Sequence, residues 1–146
     1  DCSQSRGLGD VYKRQLWFNG DVVFDVKLLD ILNEFIAKNE SFVAVNTSKV
    51  GEEEVKYTLK DGYIKALSKI VKNGLGEAVG INFISSNDLK TLINRLEDCG
   101  NNDYFERGME MAIEKDNLKV NAVDISKFNC MEIDFVEDLN EVNKSL

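Results

Sequence analysis

Two aspartates stand just beyond short apolar strands. Asp21 follows Leu16-Trp17-Phe18-Asn19-Gly20, and Asp134 follows Met131-Glu132-Ile133. Open α/β sheets bind ligands in the crevice at the carboxyl ends of their strands. If these two strand ends lie side by side, two carboxylates converge on one point, which suits Mg²⁺ or Mn²⁺ held by one or two carboxylates plus substrate phosphates. The same residues serve equally well as punctuation, since Gly-Asp is turn chemistry and Asp134 can cap the helix after it. Composition narrows the alternatives. The 146 residues include no histidine, which removes Ser-His-Asp and Cys-His catalysis and His-ligated zinc or haem. Any chemistry must run on carboxylates, lysines or a hard metal ion.

The charge balance points the same way. Eighteen basic against twenty-six acidic residues give a formal charge of −8, a poor match for a nucleic-acid backbone or an anionic membrane. Neither partner is expected. Cys2, Cys99 and Cys130 form no C-x-x-C pair and read as reduced thiols. Apolar runs such as Phe42-Val43-Ala44-Val45 fall far short of the ~20 residues of a membrane helix. A soluble, cytoplasmic chain of one domain is expected.

The elements that position these acids follow from periodicity. Leu16 to Asn19 reads as a short buried strand and Val22-Val23-Phe24 as a brief extended segment. Asp25 reads as the cap of a helix with Leu28, Ile31, Leu32, Phe35 and Ile36 on one face, ending near Asn39. Ser41 to Val45 has the apolar density of a parallel strand buried on both faces. Glu54 to Leu59 and Tyr63 to Ser68, joined by Lys60-Asp61-Gly62, predict a hairpin. Gly76 to Ile84 is strand-like, with glycines where another backbone comes close. Ser86 opens a helix that stops at Gly100; a second helix runs from about Asp103 to Lys115. A strand over 119–125 and a short one over 131–133 precede a last helix with Phe135, Leu139 and Val142 inward. Strands alternating with amphipathic helices predict an α/β fold with a mostly parallel, Rossmann-like sheet and an inserted β-hairpin.

Residues 1–15 follow neither period, and the stretch from Ser5 to Gln15 looks like a translated adapter sequence; it is set aside as a non-native scar. Its Gly7-Leu8-Gly9 lacks the flanking strand and helix of a phosphate loop. Residues 16–146 are then expected to be the carboxyl-terminal part of a single domain.

From Asn19-Gly20-Asp21-Val22-Val23-Phe24 to Glu132-Ile133-Asp134-Phe135-Val136-Glu137-Asp138-Leu139, the order of motifs resembles the carboxyl-terminal part of the phosphocholine cytidylyltransferase-like and sugar-phosphate nucleotidyltransferase family. Glu53-Glu54-Val55-Lys56, Lys69, Gly76-Glu77-x-x-Gly80-Ile81 and Tyr104-Phe105-Glu106 fall in the family's order between them. The resemblance implies a GT-A-like sheet whose amino-terminal half, with its glycine-rich nucleotide loop, has no counterpart in residues 16–146. It implies that Asp21 and Asp134 hold a catalytic Mg²⁺, with Glu132 joining or orienting the shell. Lys56 and Lys69 are the implied holders of the acceptor's phosphate, and Glu77, Gly80 and Glu106 of its hydroxyl or cationic end. The implied reaction is transfer of a nucleotidyl group, cytidylyl first among them, from a nucleoside triphosphate such as CTP to phosphocholine, a phosphonate or a sugar phosphate, with release of pyrophosphate. The fragment alone is expected to be inactive, and homodimerisation is left open. Val136 replaces a proline common in the family, and Cys130-Met131 replaces an aromatic residue. Two other readings stand beside this one: a metal-dependent glycosyltransferase, and a non-catalytic α/β binding or regulatory module whose acids keep it soluble.

Overall fold

A computed structural model describes residues 13–48, 50–51, 54–133 and 135–145. In chain order the elements are β1 (Gln15–Phe18), β2 (Val22–Phe24), α1 (Leu28–Lys38), β3 (Phe42–Asn46), β4 (Lys56–Lys60), β5 (Tyr63–Ser68) and β6 (Glu77–Ile84). They continue with α2 (Leu89–Glu97), α3 (Phe105–Asp116), β7 (Asn121–Asp124), β8 (Cys130–Glu132) and α4 (Val136–Ser145). The main sheet runs β5-β4-β6-β3-β7, with β1 also on β6, and β2 and β8 form a separate two-stranded ladder.

The sheet is mixed, and the expectation of a mostly parallel one is corrected. Among the described residues only β3 and β7 pair in parallel; β1, β3 and β4 all run antiparallel to β6, as β4 does to β5 and β2 to β8. The reason lies in the connections. A parallel neighbour needs a crossover of a dozen or more residues, usually a helix, and among the described residues between β3 and β6 there is a hairpin and no helix. Burial on both faces, which made residues 41–45 read as parallel, does not distinguish a parallel strand from the centre of a mixed sheet. Because β6 opposes both β1 and β3, and β7 follows β3, the strands β1, β3 and β7 still point the same way.

Helices cover both faces. Phe42 and Ala44 pack with Leu28 and Leu32 of α1, Phe83 and Ile125, while Val43 and Val45 pack on the other side with Leu92, Met109 and Ala112 of α2 and α3. The Asp61-Gly62 turn forms as predicted: both residues take positive φ (53° and 87°) between β4 and β5, matching the right-handed strand twist. Asn39 and Asn117 close α1 and α3 in the left-handed conformation. Asp25 lies two residues ahead of the α1 cap position, Lys27, and its side chain accepts the Lys27 amide at 2.9 Å. Arg14 and Gln15, within the stretch set aside as a scar, reach the fold: the Arg14 guanidinium donates to the Ile36 carbonyl at 2.9 Å, and Gln15 pairs with Ile84. Residues 1–12 lie outside the described residues.

Phe135 and Leu139 do not turn inward; they are 71% and 45% exposed. The helical spacing of α4 is real, but β8 is the main neighbour it has among the described residues. The Val142 side chain lies outside the described ones.

Along one edge of β6, β1 and β4 lie end to end: Phe18 pairs with Ile81, the Asn19 amide donates to the Gly80 carbonyl at 2.8 Å, and Lys56 pairs with Glu77. Gly80 sits at the junction with φ +69°, and a Cβ there would fall 2.5 Å from Asn19 Nδ2. Gly80→Ala is therefore expected to cost about 1–2 kcal/mol from the left-handed backbone alone, read as a lower urea midpoint with unchanged slope.

Candidate functional site

The chain leaves β1 through Asn19-Gly20-Asp21 and turns into β2, whose ladder with β8 sets Val22 opposite Glu132 and Val23 opposite Met131. The Ile133 amide donates to the Asp21 carbonyl at 2.9 Å. The Gly20-Asp21 turn and the Met131-Glu132-Ile133 strand thus lie side by side, joined by this backbone hydrogen bond and the ladder. The Asp21 side chain is exposed and Glu132 half-buried. Asp134 lies outside the described residues, as do Glu52 and Glu53.

Beside this ladder a cleft of about 600 Å³ opens between the start of β6, the β3–β4 loop and the β8–α4 segment. Its charged lining is wholly acidic among the described residues: Glu54, Glu77, Glu132 and Asp138, with Asn46 and the exposed Phe135 also in the lining. Asp138 in the first turn of α4 accepts the Phe135 amide at 2.8 Å, reaching back over the start of the helix. Cys130, also in the wall, is a poor nucleophile: burial first, then the Glu132 charge, push its thiol up to about 11.

The predicted site residues fall into two groups. Glu77 and Glu132 line the cleft, and Lys56 lies opposite Glu77 in the sheet register, so the two side chains share a face. Lys69 and Glu106 do not line it. The Lys69 ammonium sits 4.7 Å from the centre of the Tyr104 ring, and Glu106 occupies the first turn of α3, whose Phe105 meets Trp17 of β1 edge to face at 4.2 Å. Gly80 contributes backbone at the β1–β4 junction and no wall of the cleft. Among the described residues no three His, Cys, Asp or Glu side chains gather as a metal cluster.

Sequence reasoning passed over Asp124, at the end of β7. Its carboxylate accepts the Ser126 hydroxyl, the Ser126 amide at 2.9 Å and the Thr47 hydroxyl at 3.1 Å, joining the carboxyl ends of β3 and β7. Asp-Ile-Ser directly after an apolar strand was the available signal. The Ser126 hydroxyl, followed by the other two bonds and the Lys127 charge, outweighs partial desolvation and holds the carboxyl below the ordinary range. The folded chain therefore favours the anion more than the unfolded chain does. That contribution is complete above the ordinary carboxylate pKa and is lost as pH falls through the lower, folded value. Asp124→Asn should be less stable than the parent near pH ~6, with the gap narrowing towards pH ~3 in urea titrations.

No protein-family model and no curated protein matches the sequence. Solved structures do match by shape. The inositol-1-phosphate CTP transferase from T. maritima superposes with a TM-score of 0.70 at 15% identity, covering 98% of this chain and 57% of that one. A nucleoside-diphosphate-sugar pyrophosphorylase from Vibrio cholerae gives 0.65 at 10%, covering 90% and 56%. A UTP-bound UGPase from Acinetobacter baumannii gives 0.62 at 10%, covering 92% and 51%. The shared property is the fold, an α/β architecture found in nucleotide-transferring enzymes, and this chain spans little more than half the length of each neighbour. No helix among the described residues is long and apolar enough to cross a membrane.

Proposed function

We propose that residues 16–146 are the carboxyl-terminal part of a nucleotidyltransferase domain, behind a non-native stretch. The reaction is transfer of a nucleotidyl group, cytidylyl first among them, from a nucleoside triphosphate to a phosphorylated acceptor such as phosphocholine, a phosphonate or a sugar phosphate. The observation that carries this reading is the β2–β8 ladder, which sets the Asp21 turn against the strand leading to Asp134, beside an open cleft. The names of the structural neighbours support it: CTP transfer to inositol 1-phosphate and UTP binding belong to proteins of this fold.

The donor set fits a hard divalent cation. Asp21 offers an exposed carboxylate, and Mg²⁺ needs only one or two carboxylates when phosphates and water complete its shell; Glu132 stands opposite Val22 in the ladder, so its side chain lies on the face away from that of Asp21. Asp21 and Asp134 would hold it, and the chemistry it would supply there is neutralisation of phosphate charge. The chain's own residues do the positioning. Lys56, opposite the lining residue Glu77, supplies a point charge for the acceptor's phosphate; Lys69, Gly80 and Glu106 lie off the cleft and are given no contact with the acceptor. An acceptor phosphate oxygen attacks the α-phosphorus in line, and the bond to the bridging oxygen breaks, so pyrophosphate leaves with that oxygen. Such chemistry asks for alignment and charge neutralisation more than for an acid or base, consistent with a chain without histidine.

The test is pyrophosphate release from CTP, UTP, GTP and ATP with phosphocholine, aminoethylphosphonate or a sugar 1-phosphate. The 146-residue chain is expected to give none, and a longer reading frame containing residues 16–146 to give it with one pair. Turnover by the short chain would overturn the fragment reading; silence of the longer frame with every pair would overturn the transferase.

A further inference from the structure

The wall of the cleft formed by the β3–β4 loop is fixed at three places around one side chain. Asn46, at the end of β3, pairs with Glu77 in the sheet, and its side-chain oxygen accepts the Ser48 amide at 2.9 Å and the Ser48 hydroxyl at 2.6 Å, turning the chain out of the strand. At the far end of the loop the Val55 carbonyl accepts the Ala78 amide at 2.8 Å. Between these ends, Glu77 Oε2 accepts the Gly51 amide at 3.0 Å, and both residues are half-buried. Two glycines make the approach feasible. A Cβ on Gly76 would collide with the Asn46 carbonyl, and one on Gly51 would lie 2.7 Å from Glu54 Cγ. The sheet register, the loop exit and the loop return thus all converge on Glu77 and its immediate neighbours.

We infer that Glu77 is a positioning residue. Its carboxylate hooks the Gly51 amide and so fixes the loop that presents Val50, Gly51 and Glu54 to the cleft, instead of contacting the acceptor. This rests on the reading of the cleft as an acceptor site, and it reassigns Glu77 from binding the acceptor to building the wall that binds it. A charge-assisted bond to a backbone N–H is stronger than a neutral one, which explains a carboxylate at this position on a strand otherwise apolar from Ala78 to Ile81.

Nuclear magnetic resonance on the 146-residue chain tests it. A scalar coupling across the hydrogen bond, from the Gly51 nitrogen to the Glu77 carboxylate carbon, is expected in the unsubstituted protein; its absence overturns the hook without any variant. Glu77→Gln keeps an acceptor oxygen and should preserve slow exchange of the Gly51 amide. Glu77→Ala should speed that exchange about tenfold while Ala78 and Ile81 stay protected. With phosphocholine as probe, shifts at Val50 and Glu54 should persist in Glu77→Gln and weaken in Glu77→Ala. Equal loss of phosphocholine binding in both variants, with Gly51 still protected in the glutamine form, would place Glu77 on the acceptor and overturn the inference. No response of the unsubstituted chain to phosphocholine, sugar phosphate or aminoethylphosphonate would count against the acceptor site, and the exchange data would still decide the hook.

Discussion

Asp21→Asn, in the longer reading frame, is expected to lower pyrophosphate release by about a hundredfold to a thousandfold, with little change in unfolding midpoint. The separation of the two readouts follows from the bonding. Asp21 meets the neighbouring strand through its backbone carbonyl, which accepts the Ile133 amide, so an asparagine keeps the β2–β8 ladder and loses only the charge of an exposed side chain. Asn and Asp are nearly equal in size, and no packing term enters. Asp134→Asn is expected to act alike. Wild-type rates in both variants would rule out the proposed metal site. A loss confined to KM for the acceptor would move Asp21 from the phosphate chemistry to acceptor binding.

The largest expected effect on stability is that of Phe42→Ala, about 3–5 kcal/mol. Phe42 is fully buried on β3, stacked on Phe83 with ring centres 5.6 Å apart and met edge-on by Phe35 at 5.7 Å. Its removal leaves a void between α1 and the sheet that β3, pinned between β6 and β7, cannot close. A domain of ordinary stability has about 5–15 kcal/mol in total, so the variant should unfold at a much lower urea concentration. Ile70→Ala is the contrast: at 87% exposure it should change stability by less than about 0.5 kcal/mol. Equal midpoints for the two variants would show that the core is not where the structure puts it.

Particular residues show what the sequence made legible. The apolar stripe Leu28, Ile31, Leu32, Phe35 and Ile36 specified α1, and Asp61-Gly62 specified its turn, because both signals are local and their geometry depends on few neighbours. Strand direction was misread: the apolar density of residues 41–45 suggested a parallel strand, while the hairpin that stands between β3 and β6 in place of a crossover helix was a cue for antiparallel neighbours. The inward assignment of Phe135 and Leu139 failed for a different reason, since periodicity reports a stripe and not what covers it. At the candidate site, the strand-end rule singled out Asp21 and Asp134; Asp134 lies outside the described residues, and the backbone of the Asp21 turn meets Ile133 through a small separate ladder rather than the main sheet. Lys69 and Glu106 carried motif spacing alone, and spacing does not say which face of the sheet a loop comes to rest on. Asp124 escaped notice because Thr47, its partner, is brought to it only by the β3–β7 pairing.

The ladder that joins Asp21 to the Ile133 amide closes a loop of more than a hundred residues with three residue pairs, apart from the main sheet. Its entropy of closure is recovered late, after β3, β6 and β7 have already drawn the ends together. A two-stranded ribbon of this size is also only marginally stable by itself. It can therefore open while the six strands of the main sheet stay folded, a sub-global excursion rather than unfolding. The approach of the Asp21 turn to Ile133 is thus a property of the most completely folded state, and a chain that passes a test for compactness has not by that alone formed it.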